Sequence, residues 1–286
     1  MAKGRFIALA LLLACGGCGG ASPKGTGPPF GSAASPGAPA EVWAVGDGGI
    51  DTRGAHTVAD RIAAARPARV LYLGDVYPDG SAEDFEDNFA PVYGELARRT
   101  SPTPGNHEWP AHAKGYDPYW QLISGRSTPA HYAFHVGGWQ VVSLNSETPD
   151  DPGQLRWVRD LLARTSGTCT IAFWHRPRFS AGKHGDQVDV TPLWKAVRGR
   201  ARLVLNGHDH DMQRLREIGG TTEFVSGAGG HDRYLVNEDD PRLAFASDDT
   251  EGALRLRLRP GAADLAFIAA DGSTLDSSSV QCRRGS

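Results

Sequence analysis

The sequence predicts a layered α/β protein with mixed sheets. Three observations carry this: helix-like and strand-like stretches alternate, hairpin signals break that alternation, and the tail from Met212 onward is strand-rich. Strict strand–helix repetition would instead have pointed to a parallel barrel. The first strand is expected over residues 41–45, an apolar run closing in Gly46-Asp47-Gly48-Gly49. A helix over about 57–65 leads to a strand over 69–73 and the pair Gly74-Asp75. The next helix, about 82–98, is marked by Phe85, Phe89, Val92 and Leu96 recurring on one face. A Gly/Pro-marked loop follows, Thr103-Pro104-Gly105-Asn106-His107-Glu108, and loop-rich sequence continues to about residue 129. Tyr116, Tyr119 and Trp120 in that stretch read as packing residues, with stacking on an aryl or nucleobase group as the alternative.

Gly137-Gly138 joins strands at 132–136 and 139–144 as a hairpin signal. A helix near 153–163 precedes a strand over 168–173, which runs into Trp174-His175. A helix near 192–197 precedes a strand over 202–205, which runs into Asn206-Gly207-His208-Asp209-His210. Clear alternation returns at 253–259 and 264–269, and no internal repeat is evident.

Three segments follow from composition. Lys3 and Arg5 precede a nine-residue apolar run, Phe6 to Ala14, which is too short to span a bilayer and fits an export signal over residues 1–14. Leu12-Leu13-Ala14-Cys15 resembles a bacterial lipobox, which implies lipidation of Cys15 and a membrane-anchored, exported protein. Cys18 is the competing anchor, and a plain secretion signal the competing fate. Residues 15–40 are rich in Gly, Pro, Ser and Ala with one aromatic, Phe30, and read as a tether. Residues 41–286 are left as one domain, long enough to bury its own core. If Cys15 carries lipid, Cys169 and Cys282 form a natural disulfide pair in an oxidising compartment.

The formal net charge is −3 and no run of five Lys/Arg occurs; Arg198, Arg200 and Arg202 read as a solvated helix end. Binding to duplex nucleic acid is therefore not expected, whereas a small anionic substrate needs only local positive charge.

The chemistry is concentrated at strand ends. Asp47, Asp75, His175 and the pair His208/His210 each follow a predicted strand, and Asn106 follows a Pro-Gly turn. In open α/β sheets the carboxyl edge is where sites form. Carboxylate, amide and imidazole donors together suit Fe, Mn or Zn.

These motifs resemble the calcineurin-like metallophosphoesterases, and within them the purple acid phosphatase branch. Gly46-Asp47-Gly48-Gly49, Gly74-Asp75-Val76-Tyr77, Gly105-Asn106-His107-Glu108, His175 and Gly207-His208-Asp209-His210 stand in the family's order. The resemblance implies a four-layer α/β/β/α sandwich with two mixed sheets. It implies one metal on Asp47, Asp75 and His210, and a second on Asp75, Asn106, His175 and His208, with Asp75 bridging. His107 would donate a proton or orient phosphate, and His184, nine residues after His175, would face substrate. Tyr77 departs from the pattern: it lies two residues after Asp75 rather than three. In an extended segment that shift turns a side chain to the opposite face: either Tyr77 still joins the metal ligands through a changed loop, or the first metal has fewer protein ligands, and the expectation is then a colourless enzyme using divalent metals. The implied activity is hydrolysis of phosphomonoesters. A phosphodiesterase or nucleotidase on the same core, and a non-catalytic surface lipoprotein, are the alternatives. His56, His112, His131, His135 and His231 match no motif and read as structural or exposed.

Overall fold

The computed structural model describes residues 29–282. The signal segment, Cys15, Cys18 and the first part of the expected tether lie outside the described residues.

Among the described residues the strands form two mixed sheets. The first has the order β13-β12-β11-β1-β2-β3 and the second β10-β8-β9-β7-β6-β5-β4. In the first sheet β1 (Ala40–Val45), β2 (Arg69–Tyr72) and β3 (Thr100–Pro102) run parallel. The antiparallel strands β11 (Gly252–Arg259), β12 (Ala262–Ala269) and β13 (Thr274–Gln281) complete it. The second sheet has a parallel centre of β5 (Trp139–Ser143), β6 (Thr170–Phe173), β7 (Leu203–Asn206) and β9 (Thr222–Ser226). β4 (Tyr132–Val136) and β8 (Met212–Leu215) flank it antiparallel, and β10 (Leu243–Ser247) pairs antiparallel with β8 at the edge.

Strand alternation sorts the second sheet's residues between two apolar layers. Val141, Ile171, Phe173, Leu203 and Leu205 join the main core with the first sheet. Val142, Ala172, Trp174 and Val204 face the other way, against α5 (Pro152–Arg164) and α6 (Thr191–Val197). On the far side α1 (Arg53–Ala65) buries Ala55, Val58, Ala59 and Ile62. This is the expected four-layer α/β/β/α sandwich, and strands buried on both faces explain their unbroken apolar runs.

Local chemistry sets the helix ends. The Thr52 side chain accepts from the Ala55 amide at 3.1 Å to start α1, and Asp151 does the same for Gln154 at 2.6 Å to start α5. The helix expected at 82–98 is present but irregular. Short α-helical turns α2 (Ala82–Asp84) and α3 (Ala90–Tyr93) flank a π-helical turn Phe85–Phe89, and a 3-10 turn Gly94–Arg99 closes the run. Pro91 has no amide to donate, and the wider turn falls just before it. Its Phe85, Phe89, Val92 and Leu96 are all buried, as their spacing predicts.

Two expectations are corrected. The loop-rich stretch after Glu108 contains a helix, α4 (Tyr116–Ser124), closed by Gly125 at φ 71. It is only nine residues long and has no side-chain cap, so its sequence carries little helical signal. Tyr119 and Trp120 pack against Phe85 and Phe89, at ring separations of 4.7 and 5.6 Å. The tether, expected to run to residue 40, is packed onto the domain from Pro29. Phe30 is buried edge-on against Tyr132, the Ala33 amide donates to His135 O, and the Gly138 amide donates to Pro36 O. One buried aromatic and these hydrogen bonds, with others from Ser101 Oγ to Pro29 O and from His135 N to Ser32 Oγ, order a composition that could not order itself.

Cys169, just before β6, is bonded to Cys282, just after β13, with Cα atoms 5.4 Å apart. The bond joins the second sheet to the edge strand of the first.

Candidate metal centre

Every donor singled out in the sequence lies just beyond the carboxyl end of a parallel strand. Asp47 follows β1, Asp75 follows β2, Asn106 follows β3, His175 follows β6, and His208 and His210 follow β7. Because the two sheets present these ends side by side, five turns meet at one place. The turns are knitted together. Asp47 N donates to Gly74 O at 3.0 Å, Gly207 N to His175 O at 3.0 Å, and Gly46 N to Ser226 O at 2.9 Å. Gly105 and Gly207 permit this closeness, since a Cβ on either would run into the carboxylate of Asp75 or Asp47.

The backbone is strained here. Among the described residues four non-glycine positions have positive φ, and three are donors: Asp47 at 60°, Asp75 at 69° and His208 at 74°. Each such residue costs about 1–3 kcal/mol, and such strain clusters at functional sites.

The side chains converge in two groups around Asp75, which is 2% exposed. On one side Asp75 Oδ2 lies 3.3 Å from His175 Nε2. The same nitrogen is 3.1 Å from Asn106 Oδ1 and 3.2 Å from His208 Nδ1. On the other side stand Asp47 and His210, with Nε2 of His210 3.6 Å from Asp47 Oδ1. His175 Nδ1 is hydrogen bonded to Leu73 O at 2.8 Å and His210 Nδ1 to Asp232 O at 2.7 Å. Those carbonyls fix the tautomers and leave each Nε2 lone pair aimed into the site.

Tyr77 reaches the site through a changed loop. Its hydroxyl lies 3.2 Å from Asp47 Oδ1, 3.3 Å from Asp75 Oδ2 and 2.9 Å from His210 Nε2, inside the first donor group. The alternation argument fails because the segment is not a strand: β2 ends at Tyr72, and the positive φ of Asp75 resets side-chain direction.

The electrostatics suit a bound cation. Burial raises the Asp47 carboxyl well above its usual range, against the pull of His175. Burial would do the same to Asp75, but the adjacent His175 outweighs it and holds Asp75 below the usual carboxylate range. Burial opposes charge on His175, yet Asp75 overrides it and pushes the imidazole up to about 10. Burial, then His175, pushes His208 down to about 2, and burial takes His210 down to about 4. Burial and the two carboxylates raise the Tyr77 phenol. Donor atoms converging on buried carboxylates are what a cation would satisfy, taking the place of the proton on His175, and oxygen with imidazole suits Fe, Mn or Zn.

His107 and His184 stand at opposite margins. His107 Nδ1 is bonded to Pro78 O, its Nε2 is 3.8 Å from Asp75 Oδ2, and its ring lies 4.5 Å from that of Tyr77. His184 is exposed and stacks on His208 at 4.4 Å. An open cleft of about 470 Å³ leads to the centre, lined by Ile50, Tyr77, Pro78, Asn88, His107, His231 and Tyr234.

Three residues went unassigned in the sequence. His231, read there as structural or exposed, lies with its ring 4.2 Å from Tyr77 and 4.7 Å from His210. Tyr234 stacks on His210 at 3.9 Å. Both stand beyond the last motif, and no local pattern marks them. Glu108 ends the third motif, and its buried Oε2 accepts from the amides of Asp75 and Gly105 at 3.1 and 3.2 Å.

Residues 41–212, more than half of the chain, match the family model described as calcineurin-like phosphoesterase. Tartrate-resistant acid phosphatase type 5 of Rattus norvegicus is 25% identical, over 84% of this chain and 90% of its own length. The Homo sapiens protein of that name is 24% identical, over 81% and 88%. Among solved structures, purple acid phosphatase PPD1 from yellow lupin seeds superposes with a TM-score of 0.72 at 17% identity, covering 85% of this chain. This chain spans about half of the lupin chain, 54%. The Plasmodium inner membrane complex anchor GAP50 superposes with a TM-score of 0.68 at 16% identity, covering 86% of this chain and 90% of its own. These structural likenesses concern the fold alone.

Proposed function

The chain belongs to the calcineurin-like phosphoesterase family, on its purple acid phosphatase-like branch, and from that premise we propose that it is a phosphomonoesterase working through two metal ions. It is a metal-dependent hydrolase of phosphoric esters; the pair of metals and the monoester preference are the proposal. The observation that carries it is the position of Asp75, whose Oδ2 stands 3.3 Å from both His175 Nε2 and the Tyr77 hydroxyl, between the two donor groups. Asp47, Asp75, Tyr77 and His210 would hold one ion, and Asp75, Asn106, His175 and His208 the other. Bound together, two such ions supply Lewis acidity and an activated water to a phosphoryl group.

The chain's own groups do the rest. Asp75 sets the spacing of the two donor groups, and Glu108 fixes Asp75 by its amide. His107 presents Nε2 toward the cleft, where it protonates the leaving oxygen or orients the ester. His184 faces the phosphoryl group from the side of His208. A small phosphorylated compound is the substrate class, as the acid phosphatase relatives support. Fe, Mn or Zn are the metals proposed.

The test is a panel of phosphomonoesters, phosphodiesters and nucleotides run on purified protein of measured metal content. Two metals per chain with monoester turnover dominant is expected; diester turnover exceeding monoester turnover would reject the assignment.

We also propose export with a lipid anchor at Cys15, supported by the Cys169–Cys282 bond, which fits an oxidising compartment. Cys15→Ser should release the protein from the membrane fraction or block its processing. Unchanged membrane association would move the anchor to Cys18 or elsewhere.

A further inference from the structure

Asp209, the spacer between the donors His208 and His210, is fully buried and spends its carboxylate on another loop. One oxygen accepts from Ser180 Oγ at 2.5 Å and the other from the amide of His184 at 2.7 Å. Ser180 Oγ also receives the amide of Gly182 at 2.9 Å and Gln213 Nε2 at 2.9 Å. Gly182 lies directly on the carboxylate: a Cβ there would stand 2.6 Å from Asp209 Cγ, with Asp211 Oδ2 nearer still. The loop has a second fastening on its outer side, where Arg242 pairs with Asp186 at 2.8 Å and Asn237 N donates to Ala181 O at 2.8 Å. That fastening does not involve the turn carrying the metal donors.

The loop presents two side chains to the site. His184 stacks on His208 at 4.4 Å, and Lys183 Nζ lies 4.1 Å over the ring of Tyr234, which in turn stacks on His210. The loop has no regular secondary structure at these residues, so hydrogen bonds set where they stand: Asp209 ties it to the metal-donor turn, while Arg242, Asn237 and Gln213 hold it elsewhere. A carboxylate held between two donors of one tight turn cannot shift without moving them, so it measures the loop's position from the metal centre itself.

We propose that Asp209 is a positioning residue: its carboxylate holds the 180–184 loop in register with the His208/His210 turn, and so sets the reach of His184 and Lys183 to the substrate. This rests on the reading that His184 faces substrate. Loss of the carboxylate should therefore weaken substrate binding more than it slows the bound complex.

Asp209→Ala is expected to keep both metals and to raise KM about tenfold or more, with a smaller fall in kcat, as loss of charged hydrogen bonds and of binding energy predicts. Asp209→Asn should restore KM only in part: its amide oxygen still accepts from His184 N, but Ser180 Oγ, already accepting from Gly182 N and Gln213 Nε2, cannot accept its amide as well. Combined with His184→Ala, Asp209→Ala should add less than it does alone, since only the reach of Lys183 is left to lose. Ser180→Ala, which loses one of the two hydrogen bonds, gives an intermediate KM and serves if Asp209→Ala does not fold. Loss of metal in Asp209→Ala, failure of Asn to rescue even in part, or full additivity with His184→Ala would overturn the proposal. If His184→Ala alone leaves KM unchanged, the substrate-facing reading of His184 falls instead. The tie is then judged by hydrogen exchange at the His184 amide: faster exchange in Asp209→Ala upholds it, and unchanged exchange overturns it.

Discussion

The Tyr77 hydroxyl lies 2.9 Å from Nε2 of His210, a residue 133 positions later in the chain. Two side chains that no sequence window contains together share one donor group with Asp47 and Asp75. Burial and those carboxylates hold the phenol protonated, so its ionisation needs a cation beside it.

That geometry favours Tyr77 as a ligand over a colourless centre without it. Protein loaded with iron and purified in air should show the visible charge-transfer band of a ferric phenolate, and Tyr77→Phe should lose it. A colourless iron-loaded wild type would remove Tyr77 from the ligand set.

Asp75→Ala should lose at least one metal per chain by elemental analysis while circular dichroism stays native. Two ions contribute several kcal/mol to phosphoryl transfer, so turnover should fall by about 10³-fold or more. Two metals retained with unaltered turnover would reject the bridging role.

His107→Ala should retain metal, because the imidazole stands beside the donors with Nδ1 on Pro78 O. Activity should fall by about 10²–10⁴, the usual weight of a positioned proton donor. A loss that appears only with leaving groups of high pKa would identify the acid; an equal loss with all esters would identify phosphate orientation.

The Cys169–Cys282 bond closes a separation of 113 residues. Loop entropy alone then contributes on the order of 4–5 kcal/mol to stability. Cys282→Ser should lower the urea midpoint strongly while leaving metal content intact. An unchanged midpoint would mean that packing of β13 on β12 suffices to hold that edge.

Glu223 on β9 gives the pH prediction. Its carboxyl is fully buried while accepting from the amides of Arg178 and Phe179, and burial pushes it up to about 8. An unfolded glutamate titrates near 4.3. Between those values the folded chain binds the extra proton, so stability falls as pH rises from about 4.3 to about 8. Glu223→Gln keeps an acceptor and removes the titration. Its melting temperature relative to wild type should therefore climb across pH 5 to 8 and level off above. A difference constant with pH would show that Glu223 stays ionised in the fold.

What the sequence determined by itself is the set of donors and the strand ends that carry them. Asp47, Asp75, His175, His208 and His210 were legible because a buried strand has a short-range signature and ends at a glycine-marked or otherwise abrupt turn. The residue just beyond is then committed to the sheet's carboxyl edge, whatever packs around it. Tertiary structure alone decided the direction of Tyr77, where the positive φ of Asp75 and the Gly49–Val76 bridge replace strand alternation. It alone brought His231 and Tyr234 to the cleft, from a loop between β9 and β10 with no local pattern. It alone divided the tail, sending β8 to β10 into one sheet and β11 to β13 into the other. Strand alternation tells which face is buried but not which sheet supplies the partner, and a loop's aim is set by contacts with residues far away in the chain.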